Sequence, residues 1–226
     1  MEQLINEANW RNLIQETAAH QAQLIAVSKT KSNEAIQALY DLGQRDFGEN
    51  YVQEFVSKQA QLPKDICWHF IGHLQRNKVK QIVGVANIIH GVDSERLLQE
   101  INKEAEKKQV VQNILLQYFI AKEETKFGLD AAEIEFIIAQ KEQYPHVQFL
   151  GLMGMATHTD DQEQIKAEFD QLITLKQSLK ARYFKEDAAF SMASIGMSGD
   201  YAIALAAGAS HIRIGSMLFG ARNYTS

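Results

Sequence analysis

Short apolar runs alternate with longer segments of helical period along this chain, and this alternation limits the possible folds more than any other feature. Eight runs have the length and composition of buried strands: 24–28, 46–49, 67–72, 88–92, 114–119, 149–156, 189–194 and 211–215. Amphipathic segments lie between them, for example 33–42, 94–108, 131–141 and 162–179. This order predicts a closed (β/α)8 barrel of parallel strands, with an open doubly wound sheet as the structural alternative.

Signals for helix ends agree with this pattern. Ser94 and Asp160 are predicted N-caps, and Gly43 follows the first of these helices closely. An additional helix is expected over roughly residues 2–20. With only two prolines and no Gly/Ser-rich stretch, the sequence has no recognisable linker, so we expect a single domain over residues 1–226.

Composition excludes several classes of partner. The formal charge is -5 and no apolar run approaches the ~20 residues of a membrane span, so neither nucleic acid nor a membrane is an expected partner. There is a single cysteine, and the N-terminus lacks the pattern of a signal peptide, so a cytoplasmic protein is expected. Cys67 is predicted to be a small buried side chain, not a nucleophile.

Lys29 follows the first apolar run, in Leu24-Ile25-Ala26-Val27-Ser28-Lys29. The carboxyl ends of the strands of a (β/α)8 barrel meet at one mouth, where active sites form. A desolvated lysine amine at that place can form a Schiff base with an aldehyde. The same local pattern also fits a lysine that is simply the first solvated residue after a strand.

The segment 194–201 has the composition of a phosphate site. It combines Gly196 and Gly199 with Ser198 and leads into an apolar helical segment over 202–207. Glycines let the backbone approach an anion closely, and a helix start offers free amides. An ordinary helix with a serine cap is the alternative interpretation.

The last predicted strand carries a second candidate group. Strict alternation places Arg213 on the opposite face from Ile212 and Ile214, next to Gly215, whose missing side chain leaves room for a ligand. A solvent-facing arginine is the alternative. In a barrel, the strand ends would bring together Lys29, Asn50, His73, Ser194, Ser198, Arg213, Gly215 and Ser216.

Two histidines, His69 and His73, flank the segment 70–72. No carboxylate or cysteine accompanies them at a matching spacing, so ring hydrogen bonds are predicted in place of a metal. His158 follows the sixth predicted strand and receives no assignment.

Several longer motifs occur in a fixed order. They are Ala26-Val27-Ser28-Lys29-Thr30-Lys31, Phe47-Gly48-Glu49-Asn50-Tyr51-Val52-Gln53-Glu54, Trp68-His69-Phe70-Ile71-Gly72-His73-Leu74-Gln75-Arg76-Asn77-Lys78, Glu124-Thr125-Lys126-Phe127-Gly128, Gly151-Leu152-Met153, Gly196-Met197-Ser198-Gly199-Asp200, Arg213-Ile214-Gly215-Ser216 and Phe219-Gly220-Ala221-Arg222. On these motifs, which span nearly the whole chain, it resembles the pyridoxal-phosphate homeostasis proteins. These are single-domain relatives of the alanine racemase N-terminal barrel, so the resemblance implies that form of the (β/α)8 TIM barrel.

The resemblance implies that Lys29 carries pyridoxal 5'-phosphate (PLP) as an internal aldimine and that Ser198, Gly215 and Ser216 hold its phosphate. It also implies that Arg213 faces the pyridine nitrogen. Arginine can only donate there, so the ring nitrogen would stay neutral and the cofactor would be a poor electron sink. The cofactor-binding residues expected in this way are Lys29, Asn50, Ser194, Met197, Ser198, Arg213, Gly215 and Ser216, with no metal.

The implied function is binding of PLP in intracellular PLP (vitamin B6) and amino-acid homeostasis, without established turnover. PLP and PLP-dependent apoenzymes are the implied partners, and a monomer or weak dimer is expected. One alternative is a low-activity amino-acid racemase that uses Lys29 and either His73 or His158 as opposed bases. Another is a phosphate-ligand or protein-interaction module in which Lys29 makes only ion pairs. A second amine from Lys31, Lys78 or Lys126 also stays open.

Three positions depart from the family pattern. Tyr118-Phe119 stands where the family usually has Val-Asn, which predicts a changed environment for the cofactor ring. Ser32 stands where proline is common, and it is predicted to cap the following helix. Ile195 replaces a methionine in the Ser194–Ser198 motif, a volume-conserving change that should leave the phosphate cradle intact.

Overall fold

The computed structural model describes residues 4–122 and 127–220. Two of the motifs extend outside these ranges. Residues 124–126 of the motif 124–128 and residues 221–222 of the motif 219–222 are not among the described residues. Lys126, one of the candidate second amines, is therefore also outside the described residues.

Eight parallel strands close into a barrel in sequence order, and the last strand pairs with the first. The strands are β1 (Gln23–Val27), β2 (Asp46–Glu49), β3 (Cys67–Phe70), β4 (Ile88–Val92), β5 (Gln112–Gln117), β6 (Val147–Met153), β7 (Met192–Ser194) and β8 (His211–Ile214). The closed barrel is confirmed and the open sheet is excluded. All carboxyl ends consequently lie at one end of the barrel, here called the mouth, and all amino ends at the other, here called the base.

Helices follow the strands as the alternation predicts. They are α1 (Glu7–Ala19), α2 (Asn33–Asp41), α3 (Val52–Gln61), α4 (Val79–Ile82), α5 (Glu95–Lys108), α6 (Ala131–Ala139), α7 (Gln162–Tyr183), α8 (Tyr201–Ala207) and α9 (Ser216–Phe219). Short 3-10 turns span Arg76–Lys78 and Lys141–Gln143. None of these helices is both long and apolar enough to cross a bilayer.

The predicted caps are right in two cases and wrong in one. The hydroxyls of Ser32 and Ser94 accept from the amides of Ala35 and Leu97, at 3.3 and 3.4 Å. The cap of α7 is Asp161, whose side chain accepts from Gln164 N at 3.1 Å, and not Asp160. Both aspartates are good caps, so the sequence alone does not distinguish them.

The predicted strand over 189–194 was too long at its start. Phe190 lies before β7 and stacks on Phe184 with 4.1 Å between ring centroids, so this apolar residue packs under a loop. Its burial, and not a strand hydrogen bond, explains the apolar signal. Strand and helix ends elsewhere differ from the prediction by a few residues.

The barrel wall separates two cores. The large one lies between strands and helices and includes Phe47, Phe55 and Phe169. A small one is formed by Ile88, Leu115, Met153 and Met192. Alternation along β4 puts Ile88 on the same face as His90, which contacts Ser194 across the barrel, so this small cluster lies inside it. The rest of the inner column is unusually polar.

Candidate functional site

The loop after β1 holds Lys29 at the mouth. Ser28 N donates to Gly48 O at 3.0 Å, and Lys31 N donates back to Ser28 O at 3.0 Å. Thr30 takes a left-handed conformation with φ of 63°, which turns the chain sharply after Lys29. Lys29 itself is partly buried and lines a cavity in the mouth.

Behind this loop lies a network of charges that the sequence interpretation missed. The ammonium of Lys58 donates to Ser28 O, Glu49 Oε1 and Glu54 Oε2, each at 2.8 Å. Glu54 Oε2 also accepts from Thr30 N at 2.7 Å. Both backbone neighbours of Lys29 are thus fixed by buried or half-buried side chains. Glu49 and Glu54 lie within a recognised motif. Lys58 lies four residues after Glu54 on the same helix, but its contact with Glu49 depends on the packing of α3 against β2.

The carboxylates of this network differ in their electrostatics. Glu49 is fully buried, and burial raises its pKa, an effect that Lys58 only partly offsets. Burial would also raise the pKa of Glu54, but hydrogen bonds from Lys58 and from Thr30 N bring it below its usual value. Glu49 therefore depends more than Glu54 on the ammonium of Lys58.

The loops after β7 and β8 meet at the mouth. The hydroxyl of Ser216 donates to Ser198 Oγ at 3.1 Å, which joins the two loops. Gly196 has φ of 91°, and a Cβ there would lie 2.6 Å from Ala204 Cβ, so this turn requires glycine. Met197 N donates to Asp200 Oδ1 at 2.5 Å, which shapes the turn before α8.

Arg213 is buried and held by three hydrogen bonds. Its Nη1 donates to Ser194 O and Ser194 Oγ, at 2.6 and 2.7 Å, and its Nη2 donates to Gly154 O at 3.0 Å. Burial lowers the pKa of Arg213 to about 10, which still leaves it protonated at neutral pH. The guanidinium is a fixed positive group that faces the cavity, while Ser194 lies behind it.

These loops enclose a cavity of about 620 Å³, within the size range of small-molecule sites. It contains three cationic side chains, Lys29, Lys31 and Arg213, and two carboxylates, Asp160 and Asp200. The rest of the polar lining includes Asn50, His158, Thr159, Ser198, Gly215 and Ser216. The Asn50 Oδ1 atom is buried without a hydrogen-bond partner among the described residues. The cavity thus offers an amine, hydroxyls and a guanidinium to one ligand.

Most of the expected cofactor-binding residues come together here. Lys29, Asn50, Met197, Ser198, Arg213, Gly215 and Ser216 all line the cavity. Ser194 does not, because its side chain is fully buried against Arg213 and His90. Its position on the inner face of β7 turns the hydroxyl into the barrel.

Other residues singled out in the sequence lie elsewhere. His73 is half exposed, stacks on Phe127 and lies 2.8 Å from Asp93, through Nδ1 and Oδ2, away from the cavity lining. Tyr118 packs in the large core and accepts from Gln171 Nε2 at 2.5 Å. Neither Tyr118 nor Phe119 is among the cavity-lining residues. This departure from the family pattern therefore does not change a side chain that borders the cavity.

His69 is buried near the base of the barrel, whereas His73 is half exposed near the mouth. Its Nδ1 is 2.9 Å from His90 Nε2, and its Nε2 is 3.0 Å from Asp46 Oδ1. The predicted ring hydrogen bonds are confirmed. The premise that no carboxylate or cysteine accompanies these histidines is wrong, because pairing of β2 with β3 brings Asp46 and Cys67 beside His69. Cys67 is partly exposed, and burial raises the pKa of its thiol to about 12.

Comparison with known proteins defines the relationship of the chain. A family model described as alanine racemase, N-terminal domain, matches residues 6–223. The chain belongs to this family. It is also 38% identical over 204 residues to the pyridoxal phosphate homeostasis protein of Aquifex aeolicus, a match that covers 90% of this chain and 88% of that protein. The resemblance recognised in the motifs is therefore confirmed.

Solved structures of a family member agree. PipY of Synechococcus elongatus, in a structure without PLP, has a TM-score of 0.88 and 35% identity, with 94% of this chain and 99% of that chain covered. The structure of the same protein with PLP bound has a TM-score of 0.85 and 34% identity over the same shares of both chains. The barrel and its loops are thus those of the family over nearly the whole chain.

Proposed function

We propose that this protein is a PLP-binding barrel domain that takes part in intracellular PLP (vitamin B6) and amino-acid homeostasis. The observation that carries the proposal is the cavity at the mouth, where the Lys29 amine and the joined hydroxyls of Ser198 and Ser216 face the same space. Relatives named as pyridoxal phosphate homeostasis proteins, and a structural relative solved with PLP bound, support it.

The residues of the cavity fit PLP in chemistry and in space. Lys29 would hold the aldehyde, with the amine nitrogen bonded to the aldehyde carbon and the oxygen released as water. Ser198 and Ser216 would donate to the phosphate. A Cβ on Gly215 would lie 3.3 Å from Val27 O and 3.4 Å from Val27 Cβ, so its absence keeps space open beside the end of β1. Asn50 lines the same cavity and would contact the ligand.

Arg213 would face the pyridine nitrogen as a donor. Its two terminal nitrogens are anchored on Ser194 and Gly154, so the guanidinium has a fixed orientation before any ligand arrives. A protonated partner keeps that nitrogen unprotonated, which weakens the cofactor as an electron sink. This favours a carrier over an enzyme of high turnover.

The charge network behind Lys29 has a positioning role in this proposal. Lys58 and Glu54 hold the carbonyl of Ser28 and the amide of Thr30, so the backbone on both sides of Lys29 is fixed. The amine is then presented to the cavity at little further entropic cost. Lys29 is singled out in this way from the neighbouring Lys31, which donates to Phe219 O at 3.0 Å.

The test is covalent labelling with a matched lysine control. The protein is mixed with PLP, reduced with borohydride, digested, and the modified peptide is located by mass. We expect the label on Lys29 in the original chain and in Lys31→Ala, and no label in Lys29→Ala. Circular dichroism checks that both variants are folded. A label on Lys31, or none in a folded original chain that does bind PLP, would remove Lys29 from its covalent role.

A low-activity racemase remains the second candidate because His158 lines the same cavity as Lys29. His73, the other candidate base, does not line it. Racemisation needs a second group on the opposite face of the substrate carbon. Deuterium incorporation at the α-carbon of alanine, compared between the original chain and His158→Gln, separates the candidates. Incorporation no faster than with free PLP would exclude the racemase and leave the carrier as the remaining candidate.

The partners expected from the sequence belong to the same proposal. PLP-dependent apoenzymes would receive the cofactor, in the cytoplasm, from a monomer or weak dimer. Reactivation of an apoenzyme by the PLP-loaded chain, faster than by the same concentration of free PLP, tests transfer. Sedimentation at several concentrations tests the oligomeric state.

A further inference from the structure

Three potential metal ligands converge at the base of the barrel, at the opposite end from the cavity. Asp46 is the first residue of β2, and Cys67 and His69 are the first and third residues of β3. Pairing of these strands aligns Asp46 with Cys67, and alternation puts all three side chains on the inner face. One ligand atom from each, a carboxylate oxygen, Sγ and Nε2, lies within 4.8 Å of the others.

The separations are close to those around a tetrahedral zinc ion. Cys67 Sγ lies 3.6 Å from His69 Nε2. Zn–N and Zn–S bonds of about 2.1 and 2.3 Å at a tetrahedral angle place nitrogen and sulfur roughly 3.6 Å apart. Asp46 Oδ1 lies 3.0 Å from His69 Nε2, slightly less than the roughly 3.3 Å that the same geometry requires. A movement of a few tenths of an ångström by the partly exposed aspartate would open this pair.

The charges of the three ligands also suit a divalent cation. A carboxylate and a thiolate together carry two negative charges, and His69 contributes a neutral nitrogen. Binding would release the thiol proton to solvent, as is usual for cysteine ligands.

A neighbouring histidine orients His69. The Nδ1 atom of His69 lies 2.9 Å from His90 Nε2, and His90 Nδ1 lies 3.0 Å from Ser194 Oγ. Histidine ligands generally have such a partner on the other ring nitrogen, because it fixes the tautomer and the ring plane. A metal on Nε2 of His69 would leave the ring proton on Nδ1, which would then donate to His90 Nε2.

We propose that Asp46, Cys67 and His69 form a binding site for a thiophilic divalent cation such as Zn²⁺, with His90 as the orienting partner and a fourth position open to water. Access is from the base, where the Asp46 side chain is 26% exposed and Cys67 is partly exposed. His69 is 1% exposed and forms the inner wall of the site. None of its three ligands lines the cavity at the mouth.

Cobalt titration of the full chain gives a direct test, since the protein has one cysteine. Co²⁺ bound to a thiolate produces a ligand-to-metal charge-transfer band that oxygen and nitrogen ligands do not give. We expect this band to saturate at one Co²⁺ per chain and to disappear on addition of Zn²⁺. A chain that shows no such band at excess Co²⁺ would overturn the proposal.

Matched variants identify the ligands. Cys67→Ser should abolish the band, and Asp46→Asn should weaken Co²⁺ binding by more than about tenfold. His73→Asn is the control, because His73 forms a histidine–aspartate pair of similar length at the mouth, with Asp93. It should bind Co²⁺ as the original chain does. A band that survives in Cys67→Ser would place the metal elsewhere.

One measurement needs no variant, in case the substitutions prevent folding. X-ray absorption at the zinc edge of the Zn²⁺-loaded original chain should show one sulfur at about 2.3 Å together with nitrogen and oxygen ligands. A shell of nitrogen and oxygen alone would mean that Zn²⁺ does not use Cys67, and would overturn the proposed site.

Discussion

The mouth and the base of this barrel arrange their polar side chains in opposite ways. At the mouth, Lys29, Asn50 and Arg213 border a cavity of about 620 Å³. At the base, Asp46 and His69 are hydrogen-bonded to each other and to further side chains. Polar side chains thus border an open cavity at the mouth and hydrogen-bond to one another at the base.

A column of hydrogen bonds connects the two ends. It runs from Arg213 through Ser194 and His90 to His69 and Asp46. Because arginine only donates, the Ser194 hydroxyl accepts from it and has its own proton for His90 Nδ1. In the chain without a metal, the same logic leads from His90 Nε2–H to His69 Nδ1 and from His69 Nε2–H to Asp46, so every group of the column has a hydrogen-bond partner. The lesson is that an inner polar column is stable when each group is paired, and that reactivity is confined to the end where space remains.

The largest expected effect concerns the wall of the mouth. Lys58→Met should lower the free energy of unfolding by roughly 3–5 kcal/mol, because it leaves the fully buried Glu49 without its cation. Lys103→Met, which removes an exposed pair with Glu100, should change it by less than about 1 kcal/mol. Urea denaturation measures both. Equal effects would show that the mouth does not depend on buried charge, and its contrast with the hydrogen-bonded histidines of the base would fail.

The base should respond to acid. Burial lowers the pKa of His211 from its ordinary 6.5 to about 4. Between these values the unfolded chain binds a proton that the folded chain does not, so stability falls as the pH is lowered through this window. The shift corresponds to roughly 3 kcal/mol in all.

Urea denaturation between pH 7 and pH 4, with a chelator present, measures this loss. His211→Gln should remove that part of the pH dependence, while substitution of the exposed His20 by Gln should leave it unchanged. Since His90 is also buried and neutral, some acid sensitivity should persist in His211→Gln. An unchanged slope in this variant would show that His211 does not stay unprotonated in the folded chain over this pH range.

The smallest expected effect separates ligand binding from stability at the mouth. Ser216→Ala removes one hydroxyl from an exposed position beside Ser198. We expect PLP to bind about 3- to 10-fold more weakly, the equivalent of one hydrogen bond, with the unfolding midpoint unchanged. Fluorescence titration with PLP measures the affinity, and Ser57→Ala on α3 is the control. A loss of stability without a loss of affinity would place Ser216 among the structural residues.

Much of the fold and part of the site could be predicted from the sequence. The alternation of apolar runs and amphipathic segments predicted all eight strands and the closed barrel, since periodicity is a local property of the chain. The same pattern placed Lys29 and Arg213 at the strand ends, and the glycines and serines after β7 and β8 marked the two loops that meet there. Ser194 was assigned to the same cavity, but its position on the inner face of β7 turned it toward His90.

The sequence by itself therefore determined the order of strands and helices, the place of Lys29 at the end of β1, and the family of the chain, because these depend on residue types along short segments. Only the tertiary structure decided which distant side chains meet. The contact of Lys58 with Glu49 depends on how α3 packs against the barrel, and the cluster of Asp46, Cys67 and His69 depends on the register of β2 with β3. A one-residue shift in that register would turn Asp46 away from His69, and no spacing along the chain records the register.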